Sequence, residues 1–222
     1  MRYTDVLRGV GVLELTAKVA GILVFGAFMA YEIFMLARLI ASNTWMMNQQ
    51  SLALHVSNIL YLALIMFLYL LRPKAAIKTP GLIARILGLA GAFGLPLTLI
   101  WLPKRPPLWV FWAGPTLIIV GHILAFIALA YLGRGFSIMA EARVLITTGP
   151  YSIIRHPLYL AEEIAIIGLF LQWFTLPAFI VVLVHLSIQI LRMRNEERVL
   201  TKAFPKYAAY RARTKAFLPW IV

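Results

Sequence analysis

Stretches of about twenty apolar residues recur along this chain, each closed by a cluster of basic residues, prolines or glycines. A helix of that length crosses the hydrocarbon core of a bilayer, where every backbone N–H and C=O must be satisfied within the segment itself. Composition agrees with this reading. Of 222 residues 62% are apolar and 13% charged, with a mean hydropathy of +0.87, which excludes an ordinary soluble domain.

Candidate spans run over about 15–40, 51–71, 82–102 and 108–132, followed by a pair that starts at Pro157 and ends near Leu191. Gln172-Trp-Phe-Thr-Leu-Pro divides that pair and leaves each member short, so a helical hairpin is predicted there. The predicted fold is an all-α, polytopic membrane helix bundle of about six spans, the last two a short hairpin, with a cytoplasmic C-terminal helix. We divide it into an N-terminal four-span region, 1–132, and a C-terminal functional region, 133–222. Pro96 predicts a kink in the third span. Glu32, inside the first, is expected to turn toward other helices, and His55, Asn58 and His122 are expected to be satisfied interhelical contacts.

With 21 basic and 8 acidic residues the net charge is +13. The basic residues flank the apolar runs, where membrane topology and anionic headgroups account for them, and no nucleic-acid partner is expected. Arg2, Arg8, Arg72, Lys74, Lys78, Arg85, Arg134, Arg143, Arg155 and the tail fall on one side of a six-span arrangement, and Lys104 and Arg105 on the other. Both termini are therefore predicted to be cytoplasmic in a multi-pass protein, with a bacterial inner membrane the expected setting. Met1 to Gly9 reads as the lead into a retained first span. The absence of cysteine excludes disulfides, thiolate chemistry and Cys-ligated metals.

Two polar stretches break the apolar pattern. The first is the loop from Gly133 to Arg155 together with the helix that Pro157 is suited to open, its missing N–H costing little in a first turn. On that helix His156, Tyr159 and Glu163 share a face, with Glu162 at its border. A carboxylate at mid-membrane costs about 2.5–3.5 kcal/mol and usually marks function. The second is a line of His185, Gln189, Arg192 and Glu196, spaced by four, three and four. A juxtamembrane Arg192–Glu196 pair would explain part of this line but leaves His185 and Gln189 in need of partners. Beyond it Tyr207, Tyr210, Phe217 and Trp220 suit the headgroup region of an interfacial tail.

Leu145-Ile-Thr-Thr-Gly-Pro-Tyr-Ser-Ile-Ile-Arg-His-Pro-Leu-Tyr, then Arg192-Met-Arg-Asn-Glu-Glu-Arg-Val-Leu, then Phe204-Pro-Lys-Tyr-Ala-Ala-Tyr, together resemble the isoprenylcysteine carboxyl methyltransferase family, which is grouped with the phospholipid N-methyltransferases. The resemblance covers roughly Gly133 to Ile221. It implies a membrane-embedded enzyme that uses S-adenosyl-L-methionine. Carried over by motif position, it implies cofactor contacts at Arg143, Val144, Leu145, Ile146, Tyr151, His156, Pro157, Leu158, Tyr159 and Glu196, and a substrate contact at Arg192. Glu162 and Glu163 have no counterpart in the pattern.

Methyl transfer from a sulfonium is an in-line displacement, so the protein must align acceptor and methyl group and exclude water. A carboxylate acceptor is already ionised and needs a cation such as Arg192. An amine or phenol needs a base, for which His185, His156 or Glu163 is available. We take Arg192 and His185 as candidate catalytic residues and Arg192, Glu163 and Gln189 as candidate substrate contacts, with no metal. The expected acceptor is a lipophilic isoprenoid or lipid, methylated on a carboxylate oxygen. The alternatives are an NADPH-dependent membrane sterol or lipid reductase, and a non-catalytic small transporter or lipid-binding protein.

Overall fold

The computed structural model describes residues 3–43, 48–71, 77–78, 82–94, 101–103, 106–108 and 110–217, with positions 73, 75 and 98; side chains are described from residue 19 onward, except at 78, 82, 85 and 93. Helices α1 (Tyr3–Ala41) and α2 (Gln49–Leu71) form an antiparallel pair. Strand β1 (Ile77–Lys78) and helix α3 (Leu82–Leu89) follow, and α3 runs into a π-helical turn, Ala90–Gly94. Helix α4 (Val110–Leu132) leads through a 3-10 turn to strand β2 (Glu141–Ala142) and a second 3-10 turn, Gly149–Ser152. The chain ends with α5 (Pro157–Trp173), α6 (Leu176–Ala203) and α7 (Tyr207–Arg213).

The all-α reading holds, and the protein is a membrane protein by the length and apolarity of its helices. Four segments among the described residues are long and apolar enough to cross a bilayer: Val19–Ala41, Gln49–Leu71, Val110–Gly135 and Leu176–Ala203. The count of about six is not established. Helix α5 has 17 residues, about 25 Å of rise against about 30 Å of hydrocarbon. The third expected span is described only as the eight residues of α3 and the five of the π turn, and the expected kink at Pro96 lies outside the described residues.

Helices α5 and α6 do form a hairpin, but only its first member is short: α6 runs for 28 residues, because its helix continues past Leu191 to Ala203. Phe174 adopts a left-handed conformation, φ 43°, and its N–H donates to the Phe170 carbonyl at 2.8 Å, closing α5. Thr175 then caps α6, accepting from the Ala178 N–H at 3.4 Å, with Pro177 in the first turn. The larger apolar core joins α1, α2, α4 and α5 through Phe25, Leu68, Tyr69, Leu129 and Ala161, with Phe136 and Ile138 added from the long loop. Large apolar side chains such as Leu23, Phe67, Ile123 and Val184 stay exposed on the helix flanks, where lipid would meet them.

Small residues set the spacing of α4 and α5. A Cβ added to Gly121 would lie 2.7 Å from the Ala165 nitrogen and 2.8 Å from the Ala161 oxygen, and one on Gly168 would lie 2.5 Å from the Gly114 oxygen. Backbones approach this closely only without side chains between them, the usual device of membrane helix pairs.

Polar groups within the first spans are paired, as expected. Glu32 meets His55 Nδ1 at 2.6 Å and accepts from Asn58 Nδ2 at 2.9 Å. His122 lies 3.2 Å from the Ser57 hydroxyl and stacks on Tyr61 at 4.8 Å between centroids. At the other end of α2, Ile77 and Lys78 pair antiparallel with Ala142 and Glu141, which puts the α2–α3 and α4–α5 loops at the same end of the bundle.

Replacing Gly121 with leucine should destabilise the detergent-solubilised protein by about 3 kcal/mol or more, because the neighbours that must move are backbone. Gly26→Leu is the control, since a Cβ there meets nothing within 4 Å. Equal thermal midpoints for the two variants would contradict this packing.

Candidate active site

A cavity of about 510 Å³, counting its mouth, opens where the long loop, the start of α5 and the middle of α6 converge. Leu132, Gly135, Phe136, Ser137, Met139 and Glu141 line it from the end of α4 and the loop. Tyr151, Arg155, His156, Leu158, Tyr159 and Glu162 line it from the second 3-10 turn and α5, and Arg192 and Glu196 from α6. The hairpin explains how residues forty positions apart in sequence come together: a two-residue turn folds α6 back along α5.

The shallow end of the cavity is held by Glu197. One of its oxygens accepts from Arg155 Nε at 2.7 Å and faces His156 Nε2 at 3.2 Å, and the other lies 3.5 Å from Arg211 Nε. Facing a carboxylate, Nε2 is assigned the imidazole proton. His156 is 2% exposed, and its Nδ1 has no hydrogen-bond partner among the described residues. Arg155 Nη1 also donates to the carbonyls of Arg211, at 3.1 Å, and Thr214.

The last segment docks on the same wall through backbone. Ile154 and Lys215 form a parallel bridge, the Arg155 N–H donates to the Lys215 carbonyl at 2.8 Å, and the His156 N–H to that of Ala216 at 3.1 Å. Tyr210 donates its hydroxyl to the Tyr151 carbonyl at 2.6 Å, and burial pushes its phenol up to about 12. Burial, with Glu196 next in weight, holds the Tyr151 phenol well above its ordinary value; its hydroxyl is buried without a hydrogen-bond partner among the described residues. Tyr207 and Tyr210 are thus part of the protein interior, at 1% and 5% exposure, which corrects the expectation that they float in the headgroup region. Trp220 lies outside the described residues. Arg155, readable from sequence as a surface anchor, is instead an internal tie.

At the deeper end Tyr159 donates to Glu196 Oε2 at 3.0 Å, and the Arg192 guanidinium sits over the Tyr159 ring at 5.1 Å. Arg192 Nη1 donates to Gln189 Oε1 at 2.5 Å and Nη2 to the Ile138 carbonyl at 3.2 Å. Gln189, fully buried, donates to Glu162 Oε2 at 2.9 Å. The π turn lies against this network: a Cβ on Gly91 would be 2.6 Å from Arg192 Cδ.

Of the residues singled out from sequence, Tyr151, His156, Leu158, Tyr159, Arg192 and Glu196 line the cavity. Pro157 is buried beside them, and Gln189 supports from behind. His185 and Glu163 are not among the lining residues. His185 Nε2 meets the Gly91 carbonyl at 3.0 Å, and Nδ1 lies 3.1 Å from Glu163 Oε1, within ion-pair distance but off hydrogen-bond geometry. Arg143, Val144, Leu145 and Ile146 do not line the cavity either; Val144 is 42% exposed, and Arg143 donates to Glu141 Oε2 at 2.6 Å while its Nε and Nη1 are buried with no hydrogen-bond partner among the described residues. Sequence reasoning missed Glu197, Glu141 and Ser137 as site residues. For Glu197 the signal was present, a carboxylate beside Glu196, but neighbouring helix positions face different directions and only the docked tail distinguishes them.

The residues present fit S-adenosyl-L-methionine by their chemistry. Glu196 offers an acceptor for an ammonium, Tyr151 and His156 offer polar atoms without partners among the described residues, and Phe136, Met139 and Leu158 offer an apolar wall for a ring.

The fold and the site together define a membrane helix bundle with a polar cavity at one end, between a proline-opened helix and a long partner. Residues 109–207 match the model of the phospholipid methyltransferase family, and this segment contains α4, α5, α6 and every cavity-lining residue. Two relatives are the cobalt-zinc-cadmium resistance protein CzcN of Cupriavidus metallidurans, 34% identical over 113 residues, and the nickel-cobalt-cadmium resistance protein NccN of Alcaligenes xylosoxydans xylosoxydans, 32% identical over 114. Each match covers 49% of this chain and 51% or 52% of the relative, so the chain spans about half the length of the curated relatives it matches. No solved structure matches.

Glu197→Ala should leave Arg155 and His156 without their shared counter-charge, a loss on the order of 3 kcal/mol for a largely buried pair. The tail should then undock, and trypsin should cut at Arg211, Arg213 or Lys215 faster than in the unaltered protein. An unchanged cleavage rate would count against Glu197 as the clasp.

Proposed function

We propose that this protein transfers the methyl group of S-adenosyl-L-methionine to a lipophilic acceptor, an isoprenoid or lipid, at a site open to the cytosol and to the membrane. The observation that supports this most is the convergence of Tyr151, His156, Tyr159 and Glu196 on one cavity: these four of the motif residues that the family resemblance assigns to the cofactor meet although they lie on three separate elements. The names of the relatives concern metal resistance and describe no reaction.

When bound, the cofactor would supply an electrophilic methyl group on a sulfonium. The chain's own residues bind, orient and exclude water. Glu196, oriented by the Tyr159 hydroxyl, would take the cofactor's ammonium; the Tyr159 ring, already beneath Arg192, is a π face for further positive charge. The tail, latched through Arg155 and Tyr210, would keep water from the shallow end. Orientation of this kind can supply up to about 7–11 kcal/mol of the barrier when the geometry is a near-attack one.

Titration of the detergent-solubilised protein with S-adenosylhomocysteine should show saturable binding, weakened at least about tenfold, or 1.4 kcal/mol, by Glu196→Ala and by His156→Ala. Glu32→Ala, in the distant first span, should leave it unchanged. Saturable binding of NADPH alone would reverse the proposal in favour of a reductase.

A further inference from the structure

Glu162 and Glu163 are adjacent, and the structure sends them to different places. Glu163 is buried at 7% exposure and turned to His185, behind the cavity. Glu162 lines the cavity with its side chain 26% exposed. Gln189 holds its Oε2 at 2.9 Å, and Oε1 has no hydrogen bond among the described residues. From His156 to Glu162 the helix rises about 9 Å, so Glu162 stands at the deep end, toward the side from which a lipid would enter.

Expectation of a carboxylate acceptor rested on Arg192 being available to grip it. Each of its terminal nitrogens already gives one N–H to the protein, Nη1 to Gln189 and Nη2 to the Ile138 carbonyl, in a residue only 8% exposed. Glu162 Oε2 lies 4.0 Å from Nη1, so a carboxylate brought to the remaining N–H groups of Arg192 would sit beside another carboxylate. Like charges in a site of low dielectric repel strongly. Glu196 and Glu141 add two further carboxylates to the lining.

We propose, building on the methyl-transfer reading above, that Glu162 is the proton acceptor of the reaction and that the acceptor's reacting group is an N–H or O–H, not a carboxylate. The lone pair of the nitrogen or oxygen forms the new bond to the methyl carbon, and the carbon–sulfur bond breaks with its electron pair going to sulfur. The positive charge so transferred to the acceptor is relieved when its proton passes to Glu162 Oε1. Products are the methylated acceptor and the neutral thioether, and Glu162 returns the proton to water at the cavity mouth. Gln189 is the positioning residue, fixing Oε2 so that Oε1 faces the acceptor.

The test uses membranes containing the full chain, incubated with S-adenosyl-L-methionine carrying a tritiated methyl group. Label should enter the lipid extract in a form that resists mild alkali, and acid extraction then separates an N-methyl amine from a methyl ether. Glu162→Gln should lower the initial rate at least about a hundredfold while S-adenosylhomocysteine binds as before, and Glu162→Asp should restore part of the rate. Release of the label as methanol by alkali, a wild-type rate in Glu162→Gln, or no labelled lipid from protein that binds S-adenosylhomocysteine would each overturn the assignment. Failure of the unaltered protein to bind S-adenosylhomocysteine would instead overturn the methyl-transfer reading, and this assignment with it.

Discussion

Charge withdrawn from water must be answered by charge or by hydrogen bonds, and the end of this bundle is arranged around that requirement. Glu197 answers Arg155, His156 and Arg211 at once, so one carboxylate joins the entry to α5, the end of α6 and the short α7. Arg155 in turn holds the carbonyls of Arg211 and Thr214, which brings the last segment alongside residues 154–156. The cavity wall carrying Tyr151 and His156 is held by this clasp.

A second, deeper network divides the polar groups of the hairpin by role. Glu162, Gln189 and Arg192 form a chain of hydrogen bonds along the cavity, whereas Glu163 and His185 tie the hairpin to the π turn through the Gly91 carbonyl. A π turn leaves carbonyls out of register with the ordinary helical ladder, and such turns recur at functional sites. Here His185 takes the Gly91 oxygen, and Gly91 has no side chain to obstruct Arg192. The N-terminal spans therefore contribute to the site through packing, although the family match begins only at residue 109.

Helix existence, the hairpin and the convergence of two polar faces were legible because each leaves a periodic trace: apolar runs of spanning length, Pro157 at a helix start, and polar residues every three or four positions. The short length of α5 was legible too, from the turn residues that bound it. The strip Arg143 to Ile146 reads in sequence as part of the cofactor wall, yet it lies off the cavity lining, where Glu141 and Ser137 stand instead. A loop without periodicity offers no means of knowing which residues turn inward. The tail was misread for a related reason: tyrosines suit a headgroup region and a protein interior equally well, and the backbone hydrogen bonds that dock it involve no particular side chain.

Sequence alone determined that this chain is a membrane helix bundle with its polar chemistry gathered in the last ninety residues, because hydropathy and helical period are properties of the chain that survive any folding. Tertiary structure alone decided which carboxylate serves which purpose: Glu196 for the cavity and Glu197 for the clasp, Glu162 for the cavity and Glu163 for the interior. Adjacent residues on a helix point about 100° apart, and only the position of the neighbouring elements determines what each direction meets.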